Sequence, residues 1–114
     1  MMKLWEVSLS FELSNGLSTI VYPTLGRAKK DAIDHLKSER ATDVDNNKKY
    51  DADYERDLSA KIEMVEVRPV SAELFCQVVN SGGGSYVSSR APVMTLTLPA
   101  KSDKVVTTID EGKQ

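Results

Sequence analysis

The acidic segment of residues 43–55, DVDNNKKYDADYE, has the spacing closest to a ligand-binding loop in this sequence. Four oxygen-bearing residues fit positions 1, 3, 5 and 9 of a calcium loop: Asp43, Asp45, Asn47 and Asp51. However, Lys48 stands where the loop needs glycine, and Tyr54 stands where it needs a bidentate glutamate. Because both of these positions fail, the segment predicts a solvated acidic loop that holds no metal ion.

The same segment carries side chains suited to protein recognition. Tyrosine offers a large contact area at low entropic cost, and charged groups steer association with a partner. The segment 41–60 holds six acidic and three basic residues, so it contains the surplus acid of the chain. We therefore predict a partner-binding surface in this segment, comprising Asp43, Asp45, Tyr50, Asp51, Asp53, Tyr54 and Arg56. In an alternative interpretation, the two tyrosines anchor the segment to the core.

A glycine-rich stretch, NSGGGSYVSSR at residues 80–90, raises the possibility of a phosphate-binding loop. A P-loop needs Gly-Lys-Ser/Thr leading into a helix, whereas this stretch has no lysine and precedes a predicted strand. It therefore favours a flexible linker. We add Tyr86 and Arg90 to the predicted partner-binding residues, because they would lie on a mobile flap.

Catalytic groups are scarce. His35 is the only histidine and Cys76 the only cysteine, so the sequence contains no cysteine–histidine zinc motif. His35 lies near the apolar stripe of a predicted helix, and Cys76 lies among apolar residues as a small buried side chain rather than a thiolate. The carboxylate pairs of the acidic segment look equally solvated, which does not separate an acid from a base. The sequence therefore predicts a protein that is not an enzyme and needs no cofactor.

Nucleic-acid binding is the alternative function. Phosphate contacts need clustered lysine or arginine. The candidates lie along one predicted helix: Arg27, Lys29, Lys30 and Lys37. Asp31 and Asp34 interrupt them, which is typical of a solvated helix face.

The bulk composition fits an ordinary globular domain. The chain has 114 residues, 40% apolar and 28% charged, with a formal net charge of −2. One cysteine allows no internal disulfide and fits a reducing compartment. No apolar run approaches the length of a membrane span, so we expect a cytoplasmic protein that does not contact a membrane.

The first 22 residues predict a β-hairpin. Apolar and polar residues alternate from Trp5 to Leu13, and Asn15-Gly16 is the residue pair of a type I′ turn. A two-residue turn fixes the register of the returning strand, residues 17–22. The expected cross-strand partners are Ser14 with Leu17, Phe11 with Ile20, and Leu9 with Tyr22.

A helix is predicted to begin after Thr24, its N-cap, and to end at about residues 37–40. Its apolar stripe comprises Leu25, Ala28, Ala32 and Leu36, with Ile33 beside it. We expect this stripe to lie on the hairpin, which gives a ββα unit. Residues 41–60 then form a polar acidic insertion, whose second half is helical in one interpretation, with Tyr50, Tyr54 and Leu58 on one face.

The remaining chain predicts two more strands and a short helix. In residues 61–70 the apolar positions change face between Met64 and Val65, which indicates burial on both faces or a bulge. Residues 71–81 favour a helix, with a strand as the alternative. Residues 91–99 form a strand. Residues 101–114 are predicted to be a frayed polar tail, unless 105–109 add an edge strand.

These elements predict a single α+β domain over residues 1–100, with an antiparallel or mixed sheet. The predicted core comprises Trp5, Val7, Leu9, Phe11, Ile20, Leu25, Ala28, Ala32, Leu36, Val65, Val67 and Leu96. An exposed strand edge would allow a homodimer, although nothing in the sequence requires one.

The function expected from these features is binding to another protein. A compact acidic domain without a catalytic constellation, but with tyrosines and charges on two loops, fits a small inhibitor or regulator. Proteins of this kind are often encoded by phages or mobile elements and act on host proteins. That origin is a hypothesis from general frequency, and no residue indicates it.

Overall fold

The computed structural model describes residues 2–67, 73, 76–77, 80 and 89–110. Five antiparallel strands form one sheet in the order β2-β1-β3-β4-β5, and one long helix crosses a face of it. The strands are β1 (Met2–Leu9), β2 (Thr19–Tyr22), β3 (Leu58–Val67), β4 (Ser89–Leu98) and β5 (Val106–Ile109), and the helix is α1 (Leu25–Lys49). The predicted α+β class is confirmed.

The β1–β2 connection is wider than the predicted two-residue turn. Gly16 has the expected positive φ of +83°, but Asn15 does not, and its side chain instead accepts the Leu17 N–H at 3.0 Å. The observed register places Val7 opposite Ile20 and Trp5 opposite Tyr22, a shift of four residues from the prediction. An even shift keeps every side chain on its predicted face, so the apolar pattern alone could not exclude it.

Helix α1 begins where the sequence predicts and ends much later. The Thr24 hydroxyl accepts the Arg27 N–H at 3.2 Å, which confirms the N-cap. The helix then continues for 25 residues to Lys49. The prediction of a loop from residue 41 is therefore wrong for residues 41–49, because the absence of apolar residues there did not stop the helix. The interpretation with Tyr50, Tyr54 and Leu58 on one helical face is also wrong, because Leu58 begins β3.

An aspartate ends the helix in place of the usual glycine. Asp51 has a φ of +50°, a left-handed conformation that aspartate tolerates better than most residues. The Ala52 N–H then donates to the Asn47 carbonyl at 2.9 Å, and the Tyr50 N–H donates to Asn46 at 3.0 Å. These bonds satisfy carbonyl groups of the last turn, and Lys48 and Lys49 there complement the helix dipole.

Strand β3 is buried on both faces, as the change of face in its sequence indicated. Ile62 belongs to the larger core beneath α1, whereas Val65 and Val67 pack on the opposite face. The β3–β4 register also shifts between Ile62 and Glu63, where Pro92 lies opposite Glu63 and Val93 is bulged. Burial on both faces is therefore the alternative that is present in β3. The bulge lies at Val93 of β4 instead, next to Pro92, which has no N–H to donate.

The first edge of the sheet, β2, is closed by a side chain from far along the sequence. Asn80 accepts the Val21 N–H at 2.8 Å and donates to the Val21 carbonyl at 2.9 Å, so its amide imitates a neighbouring strand. Most of the helix predicted at 71–81 lies outside the described residues. The four described positions in or near it, which are Glu73, Cys76, Gln77 and Asn80, have helical backbone.

Nine of the twelve predicted core residues are buried, and Trp5, Ile20 and Leu25 are partly buried against the core. Burial also includes residues that the prediction did not name: Leu4, Val21, Tyr22, Leu58, Ala60, Ile62, Cys76, Met94 and Leu98. Burial, followed by the neighbouring Asp31 carboxylate, raises the pKa of the Tyr22 phenol above its usual range, so this group stays neutral.

The C-terminal region contributes an edge strand. Residues 106–109 pair with β4, which is the alternative to a frayed tail, and residues 111–114 lie outside the described part of the chain. Within the described residues, no helix has the length and apolar character needed to cross a membrane.

Candidate functional site

The second half of α1 continues the buried stripe with polar side chains. Ala28, Ala32 and Leu36 face the sheet, and the same spacing of three or four residues leads to Glu39, Asp43 and Asn47. These three side chains are partly buried although they are polar. Polar groups are stable in such positions when they find hydrogen-bond partners, so their partners define the structure of this region.

Arg56 is the main partner of the polar stripe. Its Nε and Nη2 atoms donate to the two Asp43 carboxylate oxygens at 2.9 and 3.0 Å, and Nη2 also donates to Glu39 at 2.5 Å. Bidentate pairing of this kind fixes both distance and orientation. The hydrogen bond to Asp43 is the chief cause that raises the pKa of Arg56. Arg56 therefore holds residues 53–57 against α1.

Two further contacts attach the neighbouring segments. Asn47 donates its side-chain N–H to the Tyr54 carbonyl at 2.9 Å and accepts the Tyr54 N–H at 3.2 Å. Arg40 donates to the carbonyls of Arg56 and Leu98 at 2.8 and 3.1 Å. Helix α1, the segment before β3 and the end of β4 are thereby joined through hydrogen bonds to backbone.

The turn between β4 and β5 completes this region. Lys101 has a φ of +59° in a turn that the Ser102 N–H closes on the Pro99 carbonyl at 3.1 Å. Its Nζ atom lies 2.8 Å from Glu55. The turn therefore lies beside residues 53–56, although no pattern in the sequence predicts a role for it.

These segments enclose a groove of about 500 Å³. We call it the acidic groove, with walls that include Val44, Asn47, Asp53, Tyr54, Lys101 and Asp103. Four acidic lining residues oppose three basic ones, which gives the lining a net charge of −1, and Glu39 also pairs with the lining residue Arg56. Asp53 and Asp103 form no ion pair with any described residue, so their charges remain available at the groove.

Exposed apolar surface concentrates beside the acidic groove. The described part of the chain has five large exposed apolar side chains, and three of them lie here: Val44, Tyr50 and Tyr54, at 43%, 68% and 56% exposure. The Arg56 guanidinium lies 5.7 Å from the centre of the Tyr54 ring, and Lys49 lies 5.4 Å from that of Tyr50. These cations orient the two rings without covering them.

The predicted partner-binding residues therefore divide into groups. Asp45, Tyr50, Asp51, Asp53 and Tyr54 are exposed at or near the groove, on α1 and on the segment that follows it. Asp43 and Arg56 are nearby but pair with each other, so their role is to hold the region together. Spacing alone did not reveal Val44, Asn47, Lys101 or Asp103 as part of this region.

Arg90 lies elsewhere. It is the second residue of β4 and donates to Glu63 at 3.1 Å and also to Glu6, two carboxylates that face each other across β1 and β3. These contacts give Arg90 a structural role, since it neutralises like charges that would otherwise repel each other. Tyr86 lies outside the described residues.

The basic residues of the alternative function are exposed on the first half of α1. Lys29, Lys30 and Lys37 are all exposed, while Arg27 lies 3.6 Å from Glu73. Exposed Asp34 stands between Lys30 and Lys37 along the helix. The structure thus keeps the mixture of charges seen in the sequence.

The residues considered for metal and nucleophile chemistry have other surroundings. Asp43, Asp45 and Asn47 lie on a continuous helix, which cannot form the calcium loop suggested by their spacing. No cluster of three potential metal-ligating side chains occurs among the described residues. Burial, and then the Glu73 carboxylate, raise the pKa of the Cys76 thiol, which favours its neutral form. His35 lines a separate groove of about 380 Å³ beside the β1–β2 loop.

Comparison with known proteins finds no matching family model, no matching curated protein and no matching solved structure.

Proposed function

We propose that this chain is a non-enzymatic protein-binding module, and that its partner places a basic side chain in the acidic groove. The observation that carries the proposal is the coincidence of exposed tyrosines with carboxylates that form no ion pair with any described residue. Tyr54 borders the same groove as Asp53 and Asp103. Tyrosine is among the residues that dominate protein interfaces, and carboxylates beside it complement a basic group on the partner.

Apolar contact supplies the first part of this binding. Val44, Tyr50 and Tyr54 expose apolar area that the fold does not use. Covering such area with a partner removes it from water, and each Å² contributes about 25 cal/mol before the costs of association are subtracted. The Arg56 and Asn47 contacts hold the tyrosine segment in place beforehand, so little ordering is needed on binding.

Charge supplies selectivity. Asp53 and Asp103 would form ion pairs with an arginine or lysine of the partner, while Asp45 and Asp51, which are exposed but do not line the groove, add negative charge to the same part of the chain. A field of this sign accelerates association with basic surfaces and disfavours acidic ones. An inhibitor or regulator of a basic host protein fits this chemistry, including one that covers a nucleic-acid-binding surface.

The double variant Tyr50→Ala, Tyr54→Ala is expected to lose the partner while remaining folded. Both rings are more than half exposed, so their removal takes little from the core. The measurement is affinity capture from a nuclease-treated lysate of the native host, read by mass spectrometry. We expect one stoichiometric protein with the wild-type chain and a loss of at least about tenfold with the variant.

The matched control is the double variant Lys29→Ala, Lys30→Ala on the first half of α1. It should retain the captured protein, because both lysines lie on the half of the helix that does not line the groove. Equal capture by the tyrosine variant and the wild type would contradict the proposal. Nucleic acid recovered when nuclease is omitted, and lost with the lysine variant, would instead favour nucleic-acid binding.

A further inference from the structure

The last strand of the sheet, β5, leaves its outer edge unpaired among the described residues. The Asp110 N–H donates inward to the Val93 carbonyl at 2.9 Å. Because backbone groups alternate along an antiparallel strand, residues 106 and 108 also point toward β4. Val105, Thr107 and Ile109 therefore direct their N–H and carbonyl groups away from the sheet.

The two edges of this sheet are treated differently. At β2, the Asn80 amide occupies both backbone groups of Val21. At β5, no described side chain bonds to the outward groups of Thr107 or Ile109. Natural proteins commonly protect edge strands by keeping them short or with charges, proline or bulges. The four residues of β5, Val-Thr-Thr-Ile, are short but contain no charge and no proline.

Exposed apolar side chains accompany the open edge. Val106 and Ile109 are 52% and 62% exposed, and they are the two large exposed apolar side chains of the described chain that lie away from the acidic groove. Val105 is partly buried and packs on the core below α1. The edge thus offers unpaired backbone groups together with apolar surface, which is the combination that strand addition uses.

We propose that β5 pairs with β5 of a second copy of this chain, so that the two sheets join into one. Pairing of a strand with itself across a two-fold axis must be antiparallel, and each outward-facing residue must meet another outward-facing residue. Among the registers that satisfy this condition, the one centred on Thr107 matches both apolar residues and charges.

In that register, Val105 lies opposite Ile109 of the second copy, and the two-fold axis generates the same contact a second time. Continued past the ends of β5, the register brings Lys104 opposite Asp110 of the second copy, which gives two ion pairs. Within each chain Lys104 lies in a bend and bonds to the Ser102 hydroxyl, and the Asp110 carboxylate also accepts the Thr95 hydroxyl at 3.2 Å. Shifting the axis to residue 106 or 108 would place Lys104 opposite Thr108, or Val106 opposite Asp110. The charge and apolar complementarity therefore selects one register and identifies a second copy of this chain as the occupant.

A single short strand on each side makes a small interface, so the dimer should be reversible and depend on protein concentration. Sedimentation equilibrium from micromolar to millimolar concentration measures this directly. The wild-type chain should shift from the mass of one chain toward that of two. A single-chain mass at every concentration would overturn the proposal.

Charge reversal tests the register. Lys104→Glu and Asp110→Lys should each weaken the dimer by about tenfold, because each places like charges opposite one another. The double variant Lys104→Glu, Asp110→Lys should restore it. Unchanged association in both single variants, or no recovery in the double variant, would overturn this arrangement.

A proline substitution tests whether the outward backbone N–H groups of β5 pair with the second copy. Thr107→Pro removes an outward N–H that bonds to no described residue, so the variant should fold and remain monomeric. Thr107→Val keeps the N–H and should dimerise. In hydrogen exchange, the Thr107 and Ile109 amides should gain protection as concentration rises, whereas the Thr108 amide, which points toward β4, should not change. A folded Thr107→Pro variant that still dimerises would contradict the proposal.

Discussion

Replacing Arg56 with methionine is expected to lower the free energy of unfolding by about 2 kcal/mol. Methionine keeps much of the length of the arginine side chain but cannot form its three hydrogen bonds. It also removes the positive charge that pairs with the carboxylates of both Glu39 and Asp43. Those carboxylates lie one helical turn apart and are partly buried, so they would repel each other. Chemical denaturation measures the loss, and amide exchange over residues 41–49 should report fraying of the second half of α1.

Comparison with Lys101 shows whether the loss of stability depends on the partly buried position of Arg56 or only on the loss of an ion pair. Lys101→Met also removes an ion pair, but the Lys101 side chain is 73% exposed, so the expected change is below about 0.5 kcal/mol. Adding Asp43→Asn to Arg56→Met should recover part of the loss, because one of the two opposed charges disappears. Equal, small effects of Arg56→Met and Lys101→Met would refute the structural role given to Arg56.

Truncation of Asn80 to alanine is expected to cost about 2 kcal/mol as well. Val21 is 3% exposed with the Asn80 amide in place, and the truncation removes both hydrogen bonds to its N–H and carbonyl groups. The loss should appear in chemical denaturation and as faster exchange of the Val21 amide. Asn80→Asp keeps an acceptor for the Val21 N–H but loses the donor. It should therefore also lower stability, because the hydrogen bond to the Val21 carbonyl is lost.

Gln77 provides the control for this substitution. It lies three residues earlier, has helical backbone and is exposed. Gln77→Ala should therefore change stability by less than about 0.5 kcal/mol. An equally small change in stability for Asn80→Ala and Gln77→Ala would contradict the role of the Asn80 amide at the β2 edge.

The fold was predictable where apolar periodicity was strong. Alternation in β1 and the stripe from Ala28 to Leu36 identified the sheet face and the first half of α1, and both are buried as expected. The β1–β2 register was not predictable, because Asn15-Gly16 permits a type I′ turn without requiring it. Phe11 is buried beyond the end of β1, so the chain reaches the core there before it turns back.

The second half of α1 shows why a helix without apolar residues was missed. Its inward positions, Glu39, Asp43 and Asn47, keep helical spacing, but they pair with Arg56 and with Tyr54 backbone instead of packing on apolar groups. The second half of α1 could be predicted only from polar residues at the inward-facing helical positions, because no apolar residues continue the stripe there. Asp51 as the helix end was also hidden, since glycine or asparagine is the usual signal.

The sequence predicted most of the residues that form the candidate surface, but it did not predict which separate segments come together there. The exposed tyrosines and carboxylates came from the segment named in the sequence, whereas Asp103 came from a region expected to be frayed. Pairing of β4 with β3, which puts Leu98 opposite Leu58, brings the turn at residues 99–102 beside the segment that contains Tyr54. Such a long-range contact leaves no periodic signal in the sequence.

Site-specific photo-crosslinking shows whether a partner protein contacts the acidic groove. A photoreactive phenylalanine analogue placed at Val44, an exposed groove residue without a hydrogen-bonded side chain, should crosslink to the captured protein in the native-host lysate. The same analogue at Lys30, exposed on the first half of α1, should not. Crosslinking from Lys30 but not from Val44 would contradict the proposed binding surface.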